Sequence, residues 1–162
     1  MRERQTGLEM AYEWKQGEYT ISTDRARIDL KIVHSFLTES YWAAGVPFEV
    51  VKRSIENSLA FGLYKGERQV GFARVITDYA TFAYLADVFV LEEFRGEGLG
   101  HWLVRTIISH TELQELRRWM LATRDAHWLY QTVGFSNLKG PERWMEKHYP
   151  DIYAKAREGA NE

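Results

Sequence analysis

Cysteine is absent from the 162-residue sequence, which excludes disulfide bonds, thiolate nucleophiles and thiolate metal sites. A strong net charge is also lacking, because 21 Lys and Arg residues stand against 23 Asp and Glu residues. The balance of −2 gives no electrostatic reason to expect a nucleic acid or an anionic membrane as a partner. No apolar run approaches the roughly 20 residues that a membrane-spanning helix needs, and the polar N-terminus is unlike a secretory signal. We therefore expect a cytoplasmic protein.

The composition is globular, with 45% hydrophobic and 27% charged residues. No repeat, low-complexity tract or flexible linker divides the sequence, which predicts a single domain over residues 1–162 with a loose extension over 1–15. Periodicity predicts the element order β-α-α-β-β-β-α-β-α-β. The predicted strands are 17–24, three strands within 59–91, 117–123 and 135–140, and the predicted helices are 27–42, 48–58, 99–110 and 125–133. Residues 142–156 are expected to form a terminal helix or a strand followed by a helix.

Three glycines alternate between a buried strand over 82–90 and a helix, at Gly96, Gly98 and Gly100. A helix N-terminus offers free backbone N–H groups and a partial positive charge, and glycine lets phosphate oxygens approach closely. The spacing is not that of a dinucleotide fingerprint, whose third glycine would fall on His101, nor that of a P-loop, which needs a lysine after Gly100. The segment is therefore either an anion-binding loop of another kind or a tight turn without a ligand.

The stretch from Arg95 to Gly100, RGEGLG, resembles the R/Q-x-x-G-x-G/A signature of the GNAT superfamily of acetyl-CoA-dependent N-acetyltransferases. Residues 121–135, LATRDAHWLYQTVGF, resemble the second signature of that family, N-x-x-A-x-x-L-Y-x-x-x-G-F. One departure is Thr123, which stands where the family often has an asparagine that touches the cofactor. The resemblance covers roughly residues 17–140. It implies an α/β (α+β) fold with a mixed, mostly antiparallel central sheet of six to seven strands flanked by about four helices.

Acetyl-CoA is the cosubstrate that the resemblance implies. Backbone groups of the buried strand would align the pantetheine, the glycine loop would bind the pyrophosphate, and the hydroxyl of Thr123 can still make one hydrogen bond. The implied cofactor site comprises Val88, Phe89, Val90, Arg95, Gly96, Glu97, Gly98, Leu99, Gly100, His101 and Thr123. The five histidines lack the spacing of metal ligands, so we expect no metal.

Two residues are candidates for catalysis. Tyr130 matches the family tyrosine that acts as general acid toward the thiolate, although a tyrosine on a short amphipathic helix is by itself more typical of a core. Asp87 is the only charge in its strand, and burying an unpaired carboxylate is costly. It either orients or deprotonates the amine or forms a salt bridge with an arginine such as Arg74. His127, three residues before Tyr130, is either a proton relay or a structural residue.

The acceptor side is expected to come from residues 40–48 together with the C-terminal segment. Four aromatic residues, Tyr41, Trp42, Phe48 and Trp144, either wall that pocket or belong to the core. The resemblance thus implies an N-acetyltransferase that transfers an acetyl group directly to a primary amine of a small molecule or peptide. The alternative is a non-catalytic acyl-CoA-binding or regulatory module on the same fold. We expect no nucleic-acid or membrane partner, and a homodimer is possible because dimers are common in the family.

Overall fold

A computed structural model describes residues 10–154. Six strands are present: β1 Glu13–Gln16, β2 Tyr19–Ser22, β3 Leu59–Lys65, β4 Arg68–Thr77, β5 Phe82–Val90 and β6 Arg118–Met120. The α-helices are α1 Leu30–Glu39, α2 Phe48–Glu56, α3 Leu99–Ile108 and α4 His127–Gln131. Single 3-10 turns occur at Arg25–Arg27, Glu92–Phe94, Thr111–Leu113 and Pro141–Arg143.

The six strands form one mixed sheet in the order β1-β2-β3-β4-β5-β6. Every neighbouring pair is antiparallel except β5 and β6, which are parallel because the α3 crossover brings the chain back in the same direction. The sequence-based prediction of a mixed, mostly antiparallel sheet flanked by helices is therefore confirmed. Among the described residues, no helix is long and apolar enough to cross a membrane.

Helices cover both faces of the sheet, and each face has its own apolar core. On one face α1 and α2 bury Val33, Leu37, Val51 and Ile55, and this cluster also contains Phe89 of β5. On the other face α3 buries Leu99, Leu103 and Ile107 against β3, β4 and β5. Strand β5 thus lies between two cores, which explains its nearly continuous apolar sequence.

The first predicted strand is wrong in extent. Residues 17–24 were expected to form one strand, but the chain instead forms a hairpin of β1 and β2 that turns at Gly17, where φ is +59°. Residues 13–15, expected to be loose, therefore belong to β1, and Trp14 packs against the core beside Phe61. The first nine residues of the predicted extension lie outside the described residues.

The predicted strand over 135–140 is also wrong. These residues pair with no described strand, so the sixth strand of the sheet comes from the N-terminal hairpin. Gly134, at φ +98°, ends the α4 segment, and Pro141 removes a backbone donor soon afterwards, which leaves little chain for a strand. Of the expected terminal helix, only residues 152–154 are helical, and the segment from 155 onward lies outside the described residues.

A β-bulge interrupts the pairing of β4 with β5. Phe72 pairs with Phe89 and Arg74 pairs with Ala86, so Asp87 and Val88 together oppose a single residue, Ala73. Asp87 has φ +55°, a left-handed conformation that Asp tolerates better than most non-glycine residues.

An ion pair holds this bulge. Nε of Arg74 donates to Oδ2 of Asp87 at 2.6 Å, and the two side chains are only 17% and 10% exposed. A second arginine nitrogen donates to the hydroxyl of Ser58 at 3.1 Å, at the end of α2. The salt-bridge interpretation of Asp87 is therefore realised, with the arginine partner that the sequence suggested.

Replacing Asp87 with Asn should lower the free energy of unfolding by about 2 kcal/mol or more, because Arg74 would keep its charge in a shielded site without a counterion. The matched control is Asp125→Asn, because Asp125 and Arg124 form a looser pair at 3.5 Å in which both side chains are 65% exposed. That control should change stability by no more than about 0.5 kcal/mol. Urea unfolding followed by tryptophan fluorescence measures both. Equal, small effects would contradict a structural role of the Asp87 pair.

His110 is a buried histidine surrounded by aromatic rings. Its side chain is 2% exposed and lies among the rings of Tyr12, Trp14 and Phe61, at centroid distances of 4.6, 5.6 and 5.7 Å. Nδ1 accepts a hydrogen bond from the backbone N–H of Glu112, whereas Nε2 has no partner among the described residues. Burial lowers the pKa of His110, and nearby Glu112 opposes that shift only in part.

Because the folded state resists protonation of this imidazole, the stability it provides is present above pH about 6.5 and is lost as the pH falls toward the lowered folded-state pKa. His110→Asn removes the titration and retains a short side-chain acceptor for the cap. The stability advantage of the wild-type protein over this variant should therefore shrink between pH 7.5 and 5.5. Urea unfolding at several pH values measures it, and a constant advantage would exclude a contribution from His110.

Candidate active site

A cleft opens where β5 separates from β6. The two strands pair only from Phe82 to Tyr84 of β5, and from Ala86 onward β5 has no neighbour on that side among the described strands. The cleft has a volume of about 850 Å³. Four residues predicted from the sequence line it together: Asp87, Val88, Thr123 and Tyr130.

The unpaired edge of β5 forms one wall of this cleft. Val88 faces the cleft, whereas the Phe89 ring stacks on Phe36 at 4.0 Å in the opposite core and is 4% exposed. The carbonyl of Val90 accepts a hydrogen bond from Nε of Arg95 at 2.9 Å. The Arg95 side chain therefore fastens the glycine loop to the end of β5, and Phe89 can serve a ligand only through its backbone.

The glycine loop is an open cradle at the N-terminus of α3. Gly96 and Gly98 have φ values of +89° and +76°, and a Cβ added at either position would meet no atom within 4 Å. Gly98 is the N-cap of α3 and provides no side-chain cap, so the first N–H groups of the helix have no side-chain partner. The side chain of Leu99 is buried, and a Cβ at Gly100 would approach only Val90, at 3.9 Å. His101 follows in the first turn, partly exposed. Such a site fits an anionic group.

Glu97 lies between these glycines and brings a negative charge to the loop. Its carboxylate accepts a hydrogen bond from the Tyr19 hydroxyl at 2.6 Å, and this bond raises the pKa of Tyr19 to about 12. Tyr19 belongs to β2, so the loop is tied to a strand at the far side of the sheet. No sequence signal predicts this contact, because the two residues are 78 positions apart.

Tyr130 places a phenol at the cleft. Its ring belongs to the core and packs edge-on against Phe135 at 6.0 Å, and the residue is 8% exposed. Burial raises the pKa of Tyr130 to about 12. The core interpretation of its sequence position is therefore confirmed, and the residue also lines the cleft. Its role as a general acid stays a prediction. His127 borders a smaller cavity of about 390 Å³ on the other side of Tyr130.

Thr123 has a local role in addition to lining the cleft. Its Oγ1 accepts a hydrogen bond from the N–H of Ala126 at 3.1 Å, just before α4 begins. The hydroxyl therefore shapes the turn that carries Tyr130. Its proton remains available as a donor.

The loop between α1 and α2 spans the mouth of the cleft and contacts both sides. Nε1 of Trp42 donates to Oδ1 of Asp87 at 2.9 Å, on the β5 side. The hydroxyl of Tyr41 accepts a hydrogen bond from the N–H of Arg124 at 3.1 Å, beyond β6, and the Arg124 guanidinium lies 3.8 Å from the centre of the Tyr41 ring. Trp42 and Arg74 together thus engage both carboxylate oxygens of Asp87.

Of the four aromatic residues predicted for the acceptor side, two line the cleft. Tyr41 and Trp42 line the cleft and remain 48% and 42% exposed, so they are not core residues. Phe48 instead packs against the His34 ring at 5.5 Å, and Trp144 lies beneath the guanidinium of Arg118 at 4.7 Å. The C-terminal segment does contribute to the cleft as expected, but through residues that sequence reasoning missed: Glu146, His148, Pro150 and Tyr153.

A metal centre has no support in this part of the chain. Within residues 10–154, no group of three or more His, Asp or Glu side chains is arranged to hold a metal ion.

Comparisons with known proteins agree on one family. The family model described as an acetyltransferase (GNAT) domain matches residues 56–137. The Gibberella zeae protein FG08082, assigned as an acetyltransferase, is 33% identical over 72% of this chain and 78% of its own.

Solved structures give the same answer. A protein of Xanthomonas campestris pv. campestris assigned to the GNAT family as an acetyltransferase is 43% identical, with a TM-score of 0.81 over 91% of this chain and 99% of its own. A GNAT family acetyltransferase of Elizabethkingia anophelis, solved with acetyl-CoA bound, shares the fold at 15% identity, with a TM-score of 0.60 over 83% and 90% of the two chains. The glycine loop, the separated strands and these relatives together lead to one conclusion: the chain belongs to the GNAT acetyltransferase family.

Proposed function

We propose that this protein is an N-acetyltransferase that moves the acetyl group of acetyl-CoA directly to a primary amine of a small molecule or peptide. The observation that carries the proposal is the path of β5, whose unpaired edge runs from the cleft beside Tyr130 to the glycine loop. Relatives of the same fold have been solved with acetyl-CoA bound. The cysteine-free sequence favours action in the cytoplasm.

The residues present fit acetyl-CoA. The open cradle at Gly96 and Gly98 would take the pyrophosphate on backbone N–H groups, without any lysine. The unpaired edge of β5 near Val88 would form backbone hydrogen bonds with the pantetheine amides, as it would with an added strand. When bound, acetyl-CoA supplies a thioester whose carbonyl carbon is the electrophile.

The chain then has three tasks: to orient the amine, to support negative charge on the carbonyl oxygen and to protonate the departing sulfur. Backbone N–H groups of the β5 edge are the donors that can support the oxygen. Tyr130 is suited to the last task because its phenol, with a pKa of about 12, keeps its proton at neutral pH and can donate it to a thiolate.

The acceptor would enter beside the exposed rings of Tyr41 and Trp42, which pack edge-on against each other with their centres 5.1 Å apart. Aromatic faces and carboxylates attract an ammonium group, so this entrance suits an amine that arrives as a cation. A panel of tyramine, putrescine, glucosamine, lysine and trialanine, assayed by thiol release, would identify the acceptor class. Binding of acetyl-CoA without transfer to any amine would instead support a non-catalytic acyl-CoA-binding module.

Acetyl-CoA and CoA should raise the melting temperature, whereas ATP and NAD should raise it less, because a ligand that binds only the native state stabilises it in proportion to its affinity. Gly98→Ala should weaken acetyl-CoA binding about tenfold or more, a loss of about 1.4 kcal/mol, because the added Cβ enters the cradle. The control is Gly66→Ala, which imposes the same left-handed strain, at φ +58°, in the β3–β4 turn. Titration calorimetry measures both, and an equal loss in the control would contradict a role for the cradle.

Tyr130→Phe should lower kcat about 100-fold or more, the usual contribution of a general acid, and leave the Kd of acetyl-CoA within about twofold. The ring would still fill its place in the core, so stability should change little. Steady-state kinetics and titration calorimetry separate the two effects. Unchanged turnover would remove Tyr130 from the mechanism.

A further inference from the structure

The extended segment after the Pro141–Arg143 turn contacts β6 and then lines the cleft. Trp144 anchors it to β6 by its contact with Arg118. Beyond that anchor, Glu146, His148 and Pro150 line the cleft, at every second position. Lys147 and Tyr149, the alternate residues, contact each other at 5.7 Å from ammonium to ring centre. This alternation is the one expected of an extended chain, with one face toward the cleft and the other away.

The proposed reaction needs a group that removes a proton from the amine, and Asp87 is poorly suited to this task. Its two oxygens already accept hydrogen bonds from Arg74 and Trp42, and its side chain is 10% exposed. Protonating this carboxylate would also leave Arg74 without a counterion. Asp87 is therefore better explained as the residue that holds the bulge.

His148 is differently placed. It is exposed at the cleft, and no hydrogen bond or ion pair within residues 10–154 engages its imidazole. Imidazole is the side chain whose protonation changes between pH 5 and 8, so it can accept a proton at neutral pH and release it to water afterwards. General bases work best when their pKa lies near the operating pH.

We propose that His148 is the general base of the acetyl transfer, an assignment that rests on the proposed function. The amine nitrogen forms a bond to the acetyl carbon, the electrons of the C–S bond leave with the sulfur, and the sulfur takes the phenolic proton of Tyr130. His148 takes the first proton that the ammonium nitrogen loses, before the attack, and releases it to solvent. The nitrogen loses its second proton to solvent after the attack, and the Tyr130 phenolate recovers its own proton from solvent. The products are an amide and a free thiol.

The charges around this imidazole come from three parts of the chain. The sheet contributes a paired carboxylate and guanidinium, the segment after β6 contributes a second such pair, and the C-terminal segment contributes one further carboxylate. These groups are Asp87, Arg74, Arg124, Asp125 and Glu146. Asp87 is paired with Arg74, and Asp125 is paired with Arg124. Among the described residues that line the cleft, Glu146 is therefore the carboxylate left to attract the ammonium form of the acceptor toward His148.

His148→Gln tests the assignment with the best acceptor of the five-amine panel. We expect kcat/KM at pH 7 to fall about 100-fold, with acetyl-CoA binding by calorimetry unchanged. In the variant, the acidic limb of the profile of kcat/KM against pH should move up to the pKa of the free acceptor amine, which alone would then limit the reaction. Near pH 9.5 the loss should shrink below about tenfold, because more of the amine is then already free. Lys147→Gln, on the opposite face of the same segment, is the matched control and should behave like the wild-type protein.

Chemical rescue gives a second, independent readout. The open position of His148 should let added imidazole enter the His148→Ala variant and restore activity about tenfold, which a merely structural residue would not allow. Two results would overturn the assignment of His148 but not the proposed function. One is an active wild-type protein whose pH profile is unchanged in His148→Gln, and the other is a His148→Ala variant that imidazole does not rescue. A wild-type protein that binds acetyl-CoA and acetylates no amine would overturn the proposed function, and the base with it.

Discussion

Strand β5 is bulged, and the rest of the site depends on how that bulge is held. Two residues on β5 oppose one on β4, which bends β5 and leaves its far half without a neighbour on the β6 side. Unpaired backbone groups in a partly buried position are costly unless they find a partner, so this edge favours a ligand that can hydrogen-bond like a strand. The same departure from regular pairing thus creates the volume of the cleft and the unpaired edge to which, under the proposed function, the pantetheine amides would bind.

The ion pair of Asp87 with Arg74 explains how the bulge persists. It joins β5 to β4, and through Ser58 and Trp42 it reaches the end of α2 and the α1–α2 loop. The entrance of the cleft is therefore coupled to the shape of its wall. The charge of Asp87 holds the backbone geometry of the bulge, and its catalytic role stays a prediction. Under the proposed function, a group elsewhere in the cleft would take the proton of the amine, and the C-terminal segment contains the residue that we propose for this task.

Periodicity predicted α1, α2, α3 and β5 because each has one face, or two, that must be buried, and burial leaves a local pattern in the sequence. The two short signatures located the glycine loop and Tyr130, since both depend on the spacing of neighbouring residues. The features that sequence reasoning predicted wrongly or missed also have a common cause. The β1–β2 hairpin, the Tyr19 contact with Glu97 and the place of His148 arise from segments that meet only after folding. Likewise, no local pattern in residues 135–140 indicates that β6 pairs with β5 alone among the described strands.

The two halves of the site differ in composition, because backbone groups form most of one and side chains form the other. The family signatures therefore carry different information about each half. The donor half consists mainly of backbone, namely the N–H groups of the loop and the edge of β5, so it depends on glycines and strand geometry that many chains can share. The acceptor half consists of side chains from the α1–α2 loop, the turn after β6 and the C-terminal segment, which the family signatures do not cover. Membership of the GNAT family therefore predicts the donor, whereas under the proposed function Tyr41, Trp42, Glu146 and His148 would determine the amine.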